Sequence, residues 1–321
     1  ICPVSHHLCA AKAVDGITGA ENLTPTGEKM RRLMHYGQMF QSHALHFFHL
    51  ASPDLLFGFD APVEQRNVIA VIAEYPDLAV QGVMMRKYGQ EIIKATAGKK
   101  VHGTGAVPGG INKNLSLDER DALLADIDQM HEWSLKAVEI ARNYSLENLA
   151  AVKEFGSFDS NHLSIVREDG AMDLYHGNLR AVDATGGTII DQVSPLDYLG
   201  VIAEEVRPWS YMKFPFLKPV GPEDGWFRVG PLARLNTCDF IDTPEAEAAR
   251  KEFRALTDDL PCNMTLAYHW ARMIELLHSC EKIRDLLEDP DLQGDDLVTP
   301  AGDRREEYVA MIEAPRGTLT H

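Results

Sequence analysis

Residues 26–50 read TGEKMRRLMHYGQMFQSHALHFFHL, and this segment is the main evidence for the fold class. Its apolar side chains recur with helical spacing, at Met30, Leu33, Met34, Met39, Phe40, Ala44, Phe47 and Phe48. Side chains with this period lie on one face of a helix, so the segment predicts a long helix with a buried stripe.

Helix signals recur over most of the chain. Ser116 and Glu119 form a capping box, in which each side chain can bond the other residue's backbone N–H. Prolines in first turns and glycines after last turns mark other helix boundaries. The predicted helices cover residues 5–14, 26–50, 77–97, 116–144, 194–206, 243–256 and 263–287.

The middle of the chain has a different pattern. Short β-prone runs at 162–166, 172–175, 179–182 and 188–190 alternate with turn residues and predict two hairpins. The sequence therefore predicts a mainly α protein, α+β overall. Long helices would form a bundle core, with a small antiparallel β insertion near residues 160–192. Neither a repeat nor a linker divides the chain, so residues 1–321 are predicted to form a single domain. Residues 295–321 are predicted to be extended and loop-rich.

Composition excludes several classes of protein. The 321 residues carry 48 acidic and 31 basic side chains, a formal net charge of −17, which disfavours nucleic acid as a partner. No apolar run approaches the ~18 residues that a membrane-spanning helix needs. The five cysteines, at positions 2, 9, 238, 262 and 280, are no disulfide framework and suit a reducing cytoplasm.

Cys2 and His6 form a C-x-x-x-H pattern at the start of a helix, which places a thiol and an imidazole one turn apart. A helix N-terminus and a nearby imidazole both favour thiolate chemistry. By spacing alone, however, such a pair is more often two ordinary helix residues. Cys9 is better explained as a small buried side chain.

Other candidate residues have an ordinary explanation beside a functional one. His43, His46 and His49 recur every third residue, but no carboxylate ligand accompanies them, so a polar stripe is favoured over a metal face. Asp54 follows Pro53 as a helix-end or turn residue. In residues 315–317, Arg316 is either a surface side chain or a guanidinium held over a site by the stiff proline before it. Spacing gives no role to His321.

Together these segments resemble the large subunit of nickel–iron hydrogenases. The N-terminal ICPVSHH resembles half of that family's R-x-C-G-x-C-x-x-x-H signature, and HFFHL with Asp54 resembles its helix end beside the metal pocket. Residues 313–321, EAPRGTLTH, resemble its E-x-P-R-G-x-L-x-H segment. The segments most similar to the soluble, bidirectional NAD-linked type are residues 155–158, 173–177, 209–215, 221–226 and 267–273.

The sequence also departs from the family pattern. The family binds its metals with four cysteines in two C-x-x-C pairs, and here only Cys2 is present. Neither the upstream R-x-C-G half, the terminal D-P-C-x-x-C motif nor an upstream proton-transfer glutamate is found. Cys238, Cys262 and Cys280 supply no C-x-x-C pair. We therefore expect this sequence to be a fragment truncated at both ends.

The resemblance implies roles for individual residues. Cys2 would bridge nickel and iron, and His6 would donate a hydrogen bond to the Cys2 sulfur. Arg316 would stand over the open metal position and pair with Asp54. The base that accepts the proton stays open between Arg316 and a terminal thiolate outside this sequence. Pro315, His49 and His321 would surround the centre without binding metal.

The resemblance also implies cofactors and partners. The iron would carry carbon monoxide and cyanide, and a magnesium ion would lie near the missing C-terminal part. Because this chain has no cluster motif, iron–sulfur clusters would lie on a small partner subunit. A flavin-containing diaphorase module would pass electrons from dihydrogen to NAD, in the cytoplasm.

Three alternatives remain. A nickel-free relative in respiratory complexes would serve quinone-linked electron transfer, but Cys2, His6 and Arg316 argue against it. A deazaflavin- or NADP-linked hydrogenase branch is disfavoured by the mid-chain motifs. A helical binding module with a histidine-rich face is what remains if no metal site assembles.

Overall fold

The computed structural model of the protein describes residues 2–321. Helices predominate, and many of them begin with a proline in the first turn, where its missing N–H has no cost. The helices are α1 Pro3–Thr18, α2 Pro25–Leu45, α3 Ser52–Phe57, α4 Val68–Glu74, α5 Pro76–Ala97, α6 Leu117–Glu147, α7 Leu149–Glu154, α8 Tyr198–Val201, α9 Pro231–Thr237, α10 Pro244–Ala255 and α11 Tyr268–Glu288.

The long helix predicted over residues 26–50 is α2 and its continuation. The Thr24 hydroxyl caps α2 by accepting a hydrogen bond from the Gly27 N–H at 3.0 Å. After Leu45 the chain forms a π-helical turn, His46–Ala51, which carries two of the three regularly spaced histidines. Turns of this kind are frequent at functional sites because they redirect side chains within a helix.

The core lies where α2 crosses α5 and α11, and where α6 packs on α11. At the crossing with α5 the chain needs glycine at Gly37, because a Cβ there would lie 2.6 Å from Ile92 Cγ2. The large side chains buried in this core include Met30, Leu33, Met39, Phe40, Phe47, Phe253 and Trp270. The predicted long-helix core is therefore confirmed.

Ten strands form four small sheets among the described residues. A four-stranded sheet has the order β5-β4-β3-β8, with β8 parallel to β3 and the other pairs antiparallel; β1–β2, β6–β7 and β9–β10 are separate antiparallel pairs. The strands are β1 Ala106–Val107, β2 Gly110–Ile111, β3 Asn161–Val166, β4 Asn178–Val182, β5 Thr188–Val193, β6 Ile202–Val206, β7 Lys213–Leu217, β8 Phe227–Arg228, β9 Met311–Ala314 and β10 Gly317–Thr320. The antiparallel insertion predicted near residues 160–192 is confirmed as β3, β4 and β5.

Two local predictions are wrong. The helix predicted over 194–206 is limited to a short 3₁₀ turn and α8, and the chain then forms β6, which pairs with β7 along its whole length. The strand predicted over 172–175 is a single bridge from Met172 to Val166. Beyond that bridge the Asp173 carboxylate accepts hydrogen bonds from the N–H groups of Tyr175 and His176, which turns the chain.

The last strands, β9 and β10, form a hairpin that packs on α1. Ile312 and Leu319 from the hairpin meet Val4, Leu8 and Cys9 from α1 in a second apolar cluster. The chain predicted to be loop-rich at 295–321 therefore ends in ordered β-structure. Within residues 2–321 no helix is both long and apolar enough to cross a membrane.

Candidate active site

The turn of the β9–β10 hairpin carries the first of the candidate residues. Ala314 pairs with Gly317, so Pro315 and Arg316 form a two-residue turn. Gly317 has φ +150°, and a Cβ there would lie 2.4 Å from Val229 Cγ2. The turn is therefore pressed against the chain before α9, and its exposed residue is Arg316.

Cys2 stands at the N-terminus of α1 and meets that turn. Pro3 is the first residue of the helix, and the Cys2 side chain is buried. Arg316 Nη2 donates to Cys2 Sγ at 2.8 Å, across 314 positions of sequence. A guanidinium in this place stabilises negative charge on sulfur. The two residues that the resemblance assigned to one site are thus brought together.

His6 and His321 lie beside this contact. Nδ1 of His6 and Nε2 of His321 are 3.0 Å apart, and both side chains are exposed. The hydrogen bond predicted from the His6 ring to the Cys2 sulfur is not formed, because the ring turns to His321 instead. The backbone of His321 pairs with Ala310 just beyond the hairpin strands, which fixes its position. We call Cys2, His6, Arg316 and His321 the rim of the site.

Asp54 is not paired with Arg316. Its carboxylate accepts a hydrogen bond from Arg66 Nε at 2.9 Å, within the loop that follows α3. The predicted pairing fails because Arg66, twelve positions away, reaches Asp54 locally while Arg316 is engaged by Cys2. Asp54 still acts on the site from a distance, since its charge opposes the lowering of the His269 pKa by burial and by Arg272.

The three regularly spaced histidines point to different surroundings. Burial and Arg86 lower the pKa of His49, which has no described contact with the rim. Burial lowers the pKa of His46 to about 3, with further contributions from Arg272 and Arg316. His46 also contacts the His269 ring, with centroids 5.6 Å apart. His46, for which we predicted no role, is therefore nearer to Arg316 electrostatically than His49.

A buried cluster of charges supports the hairpin turn from below. Arg234 of α9 binds Glu275 of α11 through Nε at 2.5 Å and Nη2 at 2.7 Å, and Glu313 through Nη1 at 2.7 Å. Its Nη1 also donates to the Ala314 carbonyl at 3.0 Å. All three charged side chains are inaccessible to solvent. Arg234 therefore ties the hairpin to α9 and α11.

The cluster continues through His43 to Arg272. Arg272 Nη1 donates to His43 Nδ1 at 3.3 Å, and because arginine has no acceptor, Nδ1 must be the unprotonated nitrogen. His43 Nε2 then donates to Glu275 at 2.9 Å. Burial lowers the pKa of His43 to about 4, which agrees with a neutral ring. We call Arg234, Arg272, Glu275, Glu313 and His43 the floor of the site.

The sequence contained one signal for this floor. In α11, Arg272 and Glu275 interrupt an otherwise apolar run, three positions apart. Charged residues on a buried helix face are almost always paired or functional. Arg234 has the same setting in α9, where every residue is buried.

The other cysteines do not contribute to the site. Burial raises the pKa of Cys9 and Cys262 to about 11 and that of Cys238 and Cys280 to about 12, so these thiols stay protonated. Among residues 2–321, no group of three or more His, Cys, Asp and Glu side chains is arranged to hold a metal ion. The described residues thus offer one thiol ligand beside a cation.

Comparisons with known proteins identify the family. No protein-family model matches the chain. The NAD-reducing hydrogenase HoxS subunit beta of Cupriavidus necator is 46% identical over all of this chain and 68% of its own length. The vhu-type F420-non-reducing hydrogenase of Methanocaldococcus jannaschii contains a matching polypeptide that is 42% identical, over all of this chain and 76% of its own length.

Solved structures agree. An NAD⁺-reducing [NiFe]-hydrogenase in its H₂-reduced state superimposes with a TM-score of 0.96 and 53% identity, over all of this chain and 71% of that one. A Ni-Fe-Se hydrogenase from Desulfovibrio vulgaris Hildenborough gives a TM-score of 0.75 at 20% identity, over all of this chain and 73% of that one, which shows the shared fold. The chain therefore belongs to the family of nickel–iron hydrogenase large subunits.

Proposed function

We propose that this chain is the catalytic subunit of a hydrogenase that cleaves dihydrogen reversibly and passes the electrons through an iron–sulfur partner subunit to NAD. The observation that carries the proposal is the contact between Arg316 and the Cys2 sulfur at 2.8 Å. The NAD-reducing enzymes support the choice of acceptor, because one is 46% and another 53% identical to this chain.

The residues present fit one edge of a nickel–iron centre. Cys2 offers a soft sulfur ligand at a helix N-terminus, and Arg316 places a cation beside it. Bound there, the centre would supply a soft, redox-active metal that polarises dihydrogen and accepts its electrons. The other cysteine ligands of the family lie in motifs that these 321 residues do not contain.

The chain's own residues would then do three things. Cys2 would hold the metals through its thiolate. The Arg316 guanidinium, a planar donor without an acceptor, would stabilise negative charge that develops beside the sulfur. The floor would keep the turn that carries Arg316 in place, since Arg234 bonds the Ala314 carbonyl. Pro315 makes that turn stiff because its ring fixes φ.

The remaining site residues are proposed to act around the centre. His6 and His321, with ring nitrogens 3.0 Å apart, would close the rim beside Cys2. Asp54 would tune charge through His269, on which both Asp54 and Arg272 act. His49 keeps its proposed place at the edge of the pocket, on the π-helical turn.

The proposal extends to cofactors and partners. The iron would carry carbon monoxide and cyanide, with donors supplied by the Pro315–Arg316 segment, and a magnesium ion would belong to the C-terminal part of the family fold. Iron–sulfur clusters and flavin would lie on a diaphorase module and a small partner subunit. We place the complex in the cytoplasm, since all five cysteines are free and the proposed acceptor is NAD.

The test uses the full-length protein with its partner subunits. We expect dihydrogen to drive reduction of both a viologen dye and NAD. In the Cys2→Ser variant nickel per protein should fall to background, because a hydroxyl is a hard, poorly ionised ligand. The matched control is Cys238→Ser, since Cys238 is 6% exposed and Cys2 is 7% exposed. Full nickel content in Cys2→Ser would refute the proposal.

The same assay separates the second candidate acceptor. The relatives named F420-non-reducing hydrogenases are almost as similar, at 42% identity. If electrons leave by a different acceptor, dihydrogen will reduce the dye but not NAD. Such a result would keep the hydrogenase and reject its NAD-linked form.

A further inference from the structure

Arg272 of α11 is a buried guanidinium that no carboxylate contacts. It is 7% exposed, and its Nη1 donates to His43 Nδ1 and to the Pro315 carbonyl, each at 3.3 Å. Its Nε has no hydrogen-bond partner among the described residues. Burial lowers the pKa of Arg272 to about 10, so the side chain is a cation at neutral pH.

The neighbouring Arg234 shows what a structural arginine looks like in the same place. Its charge is balanced by Glu275 and Glu313, and those carboxylates have no further capacity for Arg272: one is shared with His43, the other with Thr318. An unbalanced buried cation costs stability, and an apolar side chain of similar size would fill the space without that cost. This pattern is typical of a functional side chain.

The contact of Arg272 with Pro315 acts on Arg316. The Pro315 carbonyl belongs to the peptide group that joins it to Arg316, inside a turn of only these two residues. Two guanidinium groups donate to that carbonyl from below, Arg272 at 3.3 Å and Arg234 at 3.4 Å. Because a peptide group is planar, fixing its carbonyl also fixes the direction in which the next residue leaves it.

We propose that Arg272 is a positioning residue that sets the place of the Arg316 guanidinium relative to the Cys2 sulfur, through the Pro315 carbonyl. The inference rests on the proposed function, because its consequence is measured as hydrogen turnover. It concerns residues of this chain alone and needs no contact between Arg272 and a metal.

The test is a double-mutant cycle in the full-length enzyme with its partner subunits. The variants are Arg272→Met, Arg316→Lys and the double variant, with turnover per nickel as the readout. We expect Arg272→Met to lower turnover by about 10-fold to about 100-fold, since small misplacements of a catalytic group can cost about 10² in rate. The double variant should be no slower than Arg316→Lys, because the first change acts only through the second residue.

Two further measurements separate positioning from construction. Nickel per protein and thermal unfolding should be close to the parent in Arg272→Met. Arg272→Lys should recover much of the turnover, because an ammonium can still donate to the Pro315 carbonyl, whereas it fills the space less well than methionine. If Arg272→Met does not fold, Arg272→Lys and its combination with Arg316→Lys carry the same cycle.

The matched control is Arg250→Met. Arg250 is 8% exposed and lies on α10, where it bonds Glu247 and the Asp239 carbonyl. Its loss should lower stability and leave turnover per nickel unchanged. The inference is refuted if the effects of Arg272→Met and Arg316→Lys multiply, or if Arg272→Met keeps parental turnover. A parent enzyme that does not oxidise dihydrogen refutes the proposed function instead.

Discussion

At the rim of the site the Arg316 guanidinium is exposed and donates to a single sulfur, whereas at the floor the Arg234 guanidinium is inaccessible and lies between two carboxylates. The same functional group thus serves two purposes. At the rim its charge is available to a reacting group, while at the floor it is neutralised and holds three elements together. Charge in this protein is therefore catalytic where it is unbalanced and structural where it is balanced.

The strongest test of this contrast removes the structural arginine. Arg234→Met leaves Glu275 and Glu313 buried without their cation, and breaking a buried ion pair in this way costs about 3–5 kcal/mol. We expect a large drop in the midpoint of thermal unfolding, together with loss of nickel. The replacement Arg234→Lys should recover only part of the stability, because one ammonium cannot bond both carboxylates and the Ala314 carbonyl. A stable Arg234→Met enzyme would contradict the structural role.

The matching change at the rim is Arg316→Lys, which keeps the charge but loses the planar fork. We expect normal folding, normal partner binding and normal nickel content, with turnover lower by about 10²–10³, the typical effect of one well-placed electrostatic group. Nickel per protein measured beside turnover decides the assignment. If nickel and activity fall together, Arg316 has a structural role like that of Arg234, and the contrast between rim and floor disappears.

A third test uses acid. Burial lowers the pKa of His278 to about 4, so the unfolded chain binds a proton near pH 6.5 that the folded chain refuses. This histidine therefore stabilises the fold least in acid: stability should be full above about pH 6.5 and decline as the pH falls towards 4. His278→Gln should flatten that decline, measured by urea unfolding at several pH values. An unchanged slope would show that the ring is not buried as a neutral group.

The smallest effect is expected at Asp54. Asp54 and Arg66 form a partly exposed ion pair, so Asp54→Asn should change the free energy of unfolding by less than about 1 kcal/mol. Turnover should fall by less than about tenfold, because the carboxylate acts on the site only through His269. Arg66→Met breaks the same pair but keeps the carboxylate, and it should keep parental turnover. Equal losses in both variants would assign the effect to the loop.

The long helices and the rim could be predicted from the sequence for physical reasons. The apolar period of residues 26–50 and the capping box at Ser116 are local signals, and both survive in the structure as α2 and α6. Cys2 and Arg316 belong to short segments with a family resemblance. The contact between them, by contrast, joins positions 314 residues apart, so only the fold reveals it.

The floor and two details of the site depended on tertiary contacts. No local pattern says that Arg234 selects Glu275 and Glu313, since each lies on a different element. The Asp54 pairing was predicted wrongly because a nearer arginine competes for the carboxylate. The helix predicted at 194–206 was overridden by the pairing of β6 with β7, which is a non-local choice.

The long separation between Cys2 and Arg316 also has a consequence in time. A ribosome makes the thiol first and the guanidinium 314 residues later, which at about 5–20 residues per second is roughly 15–60 s. During that interval the nascent chain carries the sulfur without its cation. Whatever delivers metal to Cys2 in this window meets a thiol whose charge is not yet balanced, and the arrival of the hairpin marks the moment at which the ligand acquires its electrostatic partner.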